Sequence, residues 1–165
     1  MIEGYLSILE LDYFEIKEAF GGLADENVWK RPAAGLLSVG EVAAHVAYWE
    51  ATRLAAEGDE ERVQQQVESP LVDRRFRYYS GTVDTAPSEQ HLAMTGEQVL
   101  GELLRVHEAS VAHFRALNPT VDSPVPGLGG WTYGESLKYL VFHVAYHTGQ
   151  IYSARHLLGE TTPDN

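Results

Sequence analysis

TYGESLKYLVFHVAYHTGQIYSARHLLG, residues 132–159, reads as one long amphipathic helix with both of its ends marked. Its opening, Thr132-Tyr133-Gly134-Glu135, is a capping-box pattern. The hydroxyl accepts from a first-turn amide, and the glutamate three residues on reaches back to the cap's own amide. Gly159 suits the residue that ends a helix in the left-handed conformation. At about 100° per residue, Leu137, Leu140, Val144, Ile151, Ala154 and Leu158 fall in one arc, which must face a core. His147 lies inside that arc, His143 at its edge and Gln150 just beyond it.

Two further capping boxes occur upstream, Ser38-Val39-Gly40-Glu41 and Thr95-Gly96-Glu97-Gln98, each heading an apolar-periodic segment. They predict helices from Ser38 to about Ala56, stopped by Gly58, and from Thr95 to about Leu117, stopped by Asn118-Pro119. Leu37 and Val42 flank the first of these boxes as a hydrophobic staple. A helix from about Ile2 to Phe20 carries Tyr5, Leu9, Tyr13, Ile16 and Phe20 at three- and four-residue spacing, and Gly21-Gly22 ends it. The stretch from Gly58 to Met94 is too long for a bundle turn and predicts a functional loop or a long crossover, with Asp59 to Val67 able to extend a helix. Four helices with one long crossover between the second and third predict an all-α four-helix bundle, a single domain over residues 1–165.

Composition narrows the function. Of 165 residues 44% are hydrophobic and 22% charged, the balance of an ordinary globular chain. No apolar run approaches a membrane span, and Met1-Ile2-Glu3 lacks the basic flank of a signal peptide. The absence of cysteine removes disulfides, thiolate nucleophiles and cysteine-type zinc sites, and fits a cytoplasmic location. A net charge of −12, from 24 acidic and 12 basic side chains, repels phosphate backbones and argues against nucleic-acid binding.

His143 and His147 are one helical turn apart, with Cβ atoms about 6 Å from each other, the spacing at which two imidazoles can chelate one ion. His45 shares the inner stripe of the second predicted helix with Val42, Trp49 and Ala56. The text is nearly duplicated, His45-Val46-Ala47-Tyr48-Trp49 against His143-Val144-Ala145-Tyr146-His147. His45 lies 12 residues before Glu57 and His143 lies 11 after Thr132, so at 1.5 Å per residue both stand about 17–18 Å from those ends. Any one of these histidines alone would read as a core residue satisfied by a neighbour; three that converge read as one site for a divalent metal. Three neutral imidazoles leave a position open for water or substrate, as catalytic sites do. Nitrogen-only ligation favours zinc, nickel, copper or iron over magnesium or calcium. No Glu-x-x-His pair and no His-Glu-x-x-His run occurs, which argues against a di-iron carboxylate site and a zincin protease.

The run His143-xxx-His147-xx-Gln150 followed by Leu158-Gly159, with Ser38 opening a helix that carries His45 and Trp29-xx-Pro32 before it, resembles the DinB/YfiT-like metalloenzyme family over essentially the whole chain. The resemblance implies up-down-down-up topology, metal ligation by His45, His143 and His147, and frequent homodimerisation. It also implies chemistry of the kind carried out by relatives that use low-molecular-weight thiols, the bacillithiol S-transferases and the mycothiol-dependent maleylpyruvate isomerase. Tyr146 departs from many relatives, which have a histidine beside the ligand. The leading reading is thus a metal-dependent S-transferase or isomerase, or a hydrolase. It would hold one ion, zinc or nickel first and iron or manganese next, and act on a small-molecule substrate with a thiol as cosubstrate. The alternative is a non-enzymatic stress-response or small-molecule-binding bundle.

Other residues are candidates for lesser roles. Gln150 either holds a metal-bound water or substrate, or bonds backbone at the core edge. His107, on the inner side of the third helix, is either an added donor or a histidine satisfied by a neighbour; His91, His113 and His156 fall in a loop or on outer faces. Arg74, Arg75 and Arg77 with Tyr78 and Tyr79 form the densest cluster able to receive an acidic cofactor, with a solvated turn as the plainer reading. Phe142, Tyr146, Gly149 and Ser153 make an aromatic and small-residue stripe facing away from the core, which suggests a two-fold partner surface or coverage by the crossover.

Overall fold

The computed structural model describes residues 1–77 and 86–163, and among them the chain is all-α. Four long helices carry the structure: α1 (Ile2–Phe20), α3 (Val39–Glu50), α6 (Gly96–Leu117) and α7 (Tyr133–Leu157). Three short ones lie between them: α2 (Asp25–Val28), α4 (Val63–Gln66) and α5 (Glu89–Leu92). All three predicted capping boxes form at Ser38, Thr95 and Thr132, and Ser88 adds a fourth in which the reciprocal group is the His91 ring. Asn118 ends α6 in the left-handed conformation at φ 46°.

One apolar core joins the long helices. Leu9, Tyr13 and Ile16 of α1, Val42 and Val46 of α3, Leu103 and Phe114 of α6, and Leu137, Leu140, Val144 and Ile151 of α7 are all buried in it. Along α1 and α7 the paired residues advance together, Tyr152 donating to the Glu15 carbonyl and Arg155 to that of Ala19. Between α7 and α3 with the turn that continues it they run in opposition: His45 meets His143, whereas Arg53, just beyond α3, meets Ser136. Arg155 is fully buried. It donates to the carbonyls of Ala19 at 2.6 Å and Gly21 at 2.9 Å and pairs with Glu160 at 2.7 Å. Glu160 in turn accepts from Asn27 at 2.6 Å, so one ion pair ties the end of α7 to the end of α1 and the start of α2.

Helix α3 does not stop at Glu50 but widens into one π turn, Ala51–Ala55, closed by a bond from the Ala56 amide to the Ala51 carbonyl. Glu57 and Gly58 then reverse the chain at φ 54° and 83°. A Cβ on Gly58 would stand 2.5 Å from Leu128 and 2.9 Å from the Gly127 backbone, so the link before α7 can lie directly against this turn only at glycine. Of the long crossover, Val63, Leu71, Val72 and Phe76 are buried and pack it onto the core. Only Val63–Gln66 of the segment that could extend a helix is helical. His91 also differs from its predicted place in a loop or on an outer face. It is buried, with Nε2 2.7 Å from the Pro70 carbonyl and Nδ1 at the Ser88 hydroxyl, and it contacts the rings of Trp29 and Phe76. A short helix with its own cap turns this ring inward to clamp the crossover.

Candidate metal centre

His45 from α3 and His143 and His147 from α7 are brought together as the spacing predicts. The Nε2 atoms of His143 and His45 are 3.2 Å apart, those of His147 and His143 3.1 Å, and one nitrogen from each ring lies within 4.8 Å of the others. All three side chains are buried. A tetrahedral ion with bonds of about 2.0–2.1 Å holds its ligand nitrogens about 3.3 Å apart, close to the two spacings seen here.

The ring protons show why a cation fits. His45 Nδ1 is 2.7 Å from the Phe76 carbonyl, and His147 Nδ1 is 2.6 Å from Oε1 of Gln150. Both partners accept, so each ring carries its proton on Nδ1 and turns a bare Nε2 inward. Only His143 can place a ring proton in the cluster. Three neutral rings therefore bring at most one hydrogen to two nitrogen–nitrogen contacts, which leaves lone pairs facing lone pairs. Protonation does not relieve this. Burial first, then the neighbouring charges of His147, His45 and Arg53, drive His143 down from the ordinary 6.5 to about 2. Burial and then His45 take His147 to about 4, against a raising effect of Gln150. Burial also lowers His45, against a raising effect of the Phe76 carbonyl. The rings are thus neutral at physiological pH, the state a metal requires of its ligands. His143 Nδ1 is buried and makes no hydrogen bond among the described residues; its ring instead stacks on Tyr139 with centroids 5.8 Å apart.

Beside the histidines lies an open cavity of about 390 Å³, walled by Trp49, Arg53, Tyr139, Phe142 and Tyr146. Trp49 is held by a 2.8 Å bond from its Nε1 to the Arg77 carbonyl. The crossover therefore serves the site with backbone, its Phe76 and Arg77 carbonyls fixing two of the side chains that α3 presents.

Of the remaining candidates among the described residues, Gln150 alone hydrogen-bonds the histidines. Arg74 pairs with Glu61, Arg75 with Asp73 and Arg77 with Glu60, at 3.0, 2.9 and 2.8 Å, and none of them lines the cavity. Tyr78 and Tyr79 lie outside the described residues. His107 is satisfied by Glu50, 2.6 Å from its Nδ1, and stacks on Tyr13 away from the histidine cluster. Gln150 bonds His147 itself rather than backbone. Sequence reasoning passed over Arg53, although a signal was present: a single cation inside Ala51-Thr52-Arg53-Leu54-Ala55-Ala56, two turns beyond His45 with Trp49 between.

A helical scaffold that converges three neutral imidazoles beside an open cavity defines a protein with a candidate site for one divalent metal. The family model of the DinB superfamily matches residues 9–151, and the chain belongs to that superfamily. No curated protein and no solved structure gives a significant match to the chain. No helix of the described residues is long and apolar enough to cross a membrane.

Proposed function

We propose that this protein is a metal-dependent enzyme of the DinB class. In this reading His45, His143 and His147 hold one divalent ion, zinc or nickel first and iron or manganese next. The four long helices form the up-down-down-up bundle, a topology supported by the parallel pairing of α1 with α7 and the opposed pairing of α3 with α7. The observation that carries the metal is the pair of 3.1 and 3.2 Å Nε2 contacts with at most one ring proton between them. When bound, such an ion acts as a Lewis acid that activates a thiol or water and polarises an acceptor oxygen. The chain's own residues do the rest. Gln150 and the Phe76 carbonyl hold two imidazoles in the ligating tautomer, and Trp49, Tyr139, Phe142 and Tyr146 wall the cavity beside them.

Transfer to or from a low-molecular-weight thiol is the reaction we favour, on the family resemblance together with the cavity open beside the histidines. Metal analysis of protein purified without a nickel column tests the ion. Close to one equivalent is expected, and less than about a tenth would overturn the site. Thiol-dependent turnover that disappears in His147→Ala distinguishes the enzyme from a binding protein that keeps the ion without chemistry. We also propose a homodimer. Phe142 and Tyr146 of the outward stripe are 62% and 53% exposed and flank the cavity mouth, so a second copy would border the site. Sedimentation of the wild type as a dimer, and of Phe142→Glu as a monomer, is the expected result; a monomeric wild type would exclude it.

A further inference from the structure

Arg53 is a charged group with no countercharge among the described residues. Its side chain is only 8% exposed, and no carboxylate of the described residues lies within ion-pairing distance. The contrast within the chain is sharp. Seven of the other eight arginines pair with an acidic side chain, and the eighth, Arg62, is exposed. A chain with 24 acidic residues and a net charge of −12 has no shortage of partners, yet none of the described ones is placed here.

Its surroundings account for the faces of the guanidinium but not for its edges. The Arg53 Cζ lies 4.5 Å from the centroid of Tyr139, 5.0 Å from Trp131 and 5.9 Å from Trp49. Aromatic faces attract a cation and offset part of its desolvation. The five N–H donors, however, point outward in the plane of the group. One of them reaches the Ser136 hydroxyl at a long 3.3 Å, and Nε is buried with no acceptor. A guanidinium between aromatic rings with its edge unsatisfied is shaped for a planar oxyanion arriving in that plane, and a carboxylate has this form.

Its position links it to the histidines. His45 and Trp49 on α3 and Arg53 in the π turn that continues it succeed one another along one helical path, roughly 12 Å from first to last at about 1.5 Å per residue. Arg53 and all three histidines line the same cavity of about 390 Å³. Tyr139 bridges the two ends, stacked on His143 and lying over Arg53. The volume admits a small molecule, and the aromatic walls suit a flat apolar body.

We propose that Arg53 anchors a carboxylate of the substrate, so that the site takes small carboxylic acids with an apolar, planar body whose far end reaches the imidazoles. This rests on the reading of the histidine cluster as the reacting centre, but the anchor is tested apart from it. Benzoate and its neutral counterpart benzamide are titrated into the full-length protein, and binding is read from the fluorescence of Trp49 and Trp131. Benzoate is expected to bind at least tenfold more tightly than benzamide. The same preference is expected after the protein is stripped with a chelator; it is expected to persist in part in Arg53→Lys and to fall below twofold in Arg53→Gln. Should Arg53→Gln fail to fold, the ¹⁵N resonance of the Arg53 Nε–H in the wild type decides. That resonance is assigned by its loss in Arg53→Lys, and it should move with benzoate and not with benzamide. Absence of any preference in the wild type, or a stationary resonance, would overturn the anchor. A preference that vanishes on chelation yet survives in Arg53→Gln would do so too, by placing the carboxylate at the histidines and leaving the metal reading intact. A preference that follows Arg53 in a protein found to bind no metal would leave the anchor standing and remove the metal reading instead.

Discussion

Gln150 is the residue at which a role left open by the letters becomes a specific one. One turn past His147 it was compatible with holding a water, a substrate or the backbone; its Oε1 lies 2.6 Å from His147 Nδ1. A neutral histidine has one ring proton, and keeping that proton at Nδ1 delivers the Nε2 lone pair to the cluster. The Phe76 carbonyl does the same for His45 at 2.7 Å, whereas His143 Nδ1 has no such partner among the described residues and its ring stacks on Tyr139. Loss of an orienting partner of this kind typically lowers metal affinity about 10- to 100-fold. Gln150→Leu should therefore bind zinc that much more weakly in competition with a chelator, with unchanged helical circular dichroism. Equal affinity in variant and parent would mean that the amide does not orient the ring. The histidine pair one turn apart could be read from the sequence because periodicity encodes which face a side chain takes. The Phe76 carbonyl could not, because a backbone group is the same at every position and its place follows from how a 31-residue separation folds back.

At the level of the helices, Gly40 opposes local propensity to tertiary fit. It occupies the first turn of α3, where alanine would ordinarily favour the helix by up to about 1 kcal/mol. Here a Cβ would stand 2.6 to 2.8 Å from three ring atoms of Trp29. That ring cannot swing aside freely, because its Nε1 donates to the Met94 carbonyl at 3.0 Å. Overpacking of this kind costs about 1–3 kcal/mol, so the steric effect outweighs the propensity gain. Gly40→Ala should lower unfolding stability in urea by about 1 kcal/mol or more; a stabilised variant would show that the Trp29 ring yields. The ends of the long helices were legible for a related reason: capping boxes are local, and Ser38, Thr95 and Thr132 each close one within four residues. Arg155 was not. A cation in the last turn of a helix is ordinary, and nothing nearby in sequence signals that it is fully buried and bonded to Ala19 and Gly21, 136 and 134 positions away. Arg53 escaped notice in the same way, since the lack of a countercharge among the described residues appears only in the folded chain.

Across the whole molecule the histidine site has a counterpart, a buried acidic cluster joining α1, α3 and α6. Glu50 is completely buried and accepts from the Tyr13 hydroxyl at 2.5 Å, with His107 Nδ1 2.6 Å from its other oxygen. Asp12 stands beside this group with one carboxylate oxygen buried and without a partner. Burial first and the charge of Glu50 second push Asp12 up from 3.8 to about 6. A carboxyl whose pKa is raised on folding binds its proton more tightly in the native state, so between about pH 4 and 6 the native state holds more protons than the unfolded one. Stability therefore falls as pH rises through that window, and the penalty is complete above it. Two pKa units correspond to nearly 3 kcal/mol, but Asp12 is only partly buried, and screening by water reduces its effect to about 1 kcal/mol. Asp12→Asn, which cannot ionise, should thus gain about 1 kcal/mol over the parent at pH 7.5 and lose that advantage near pH 4. Because parent and variant share every other titrating group, including the three histidines, the difference between their urea midpoints isolates Asp12. A difference that is the same at both pH values would show that Asp12 is not held protonated by its surroundings.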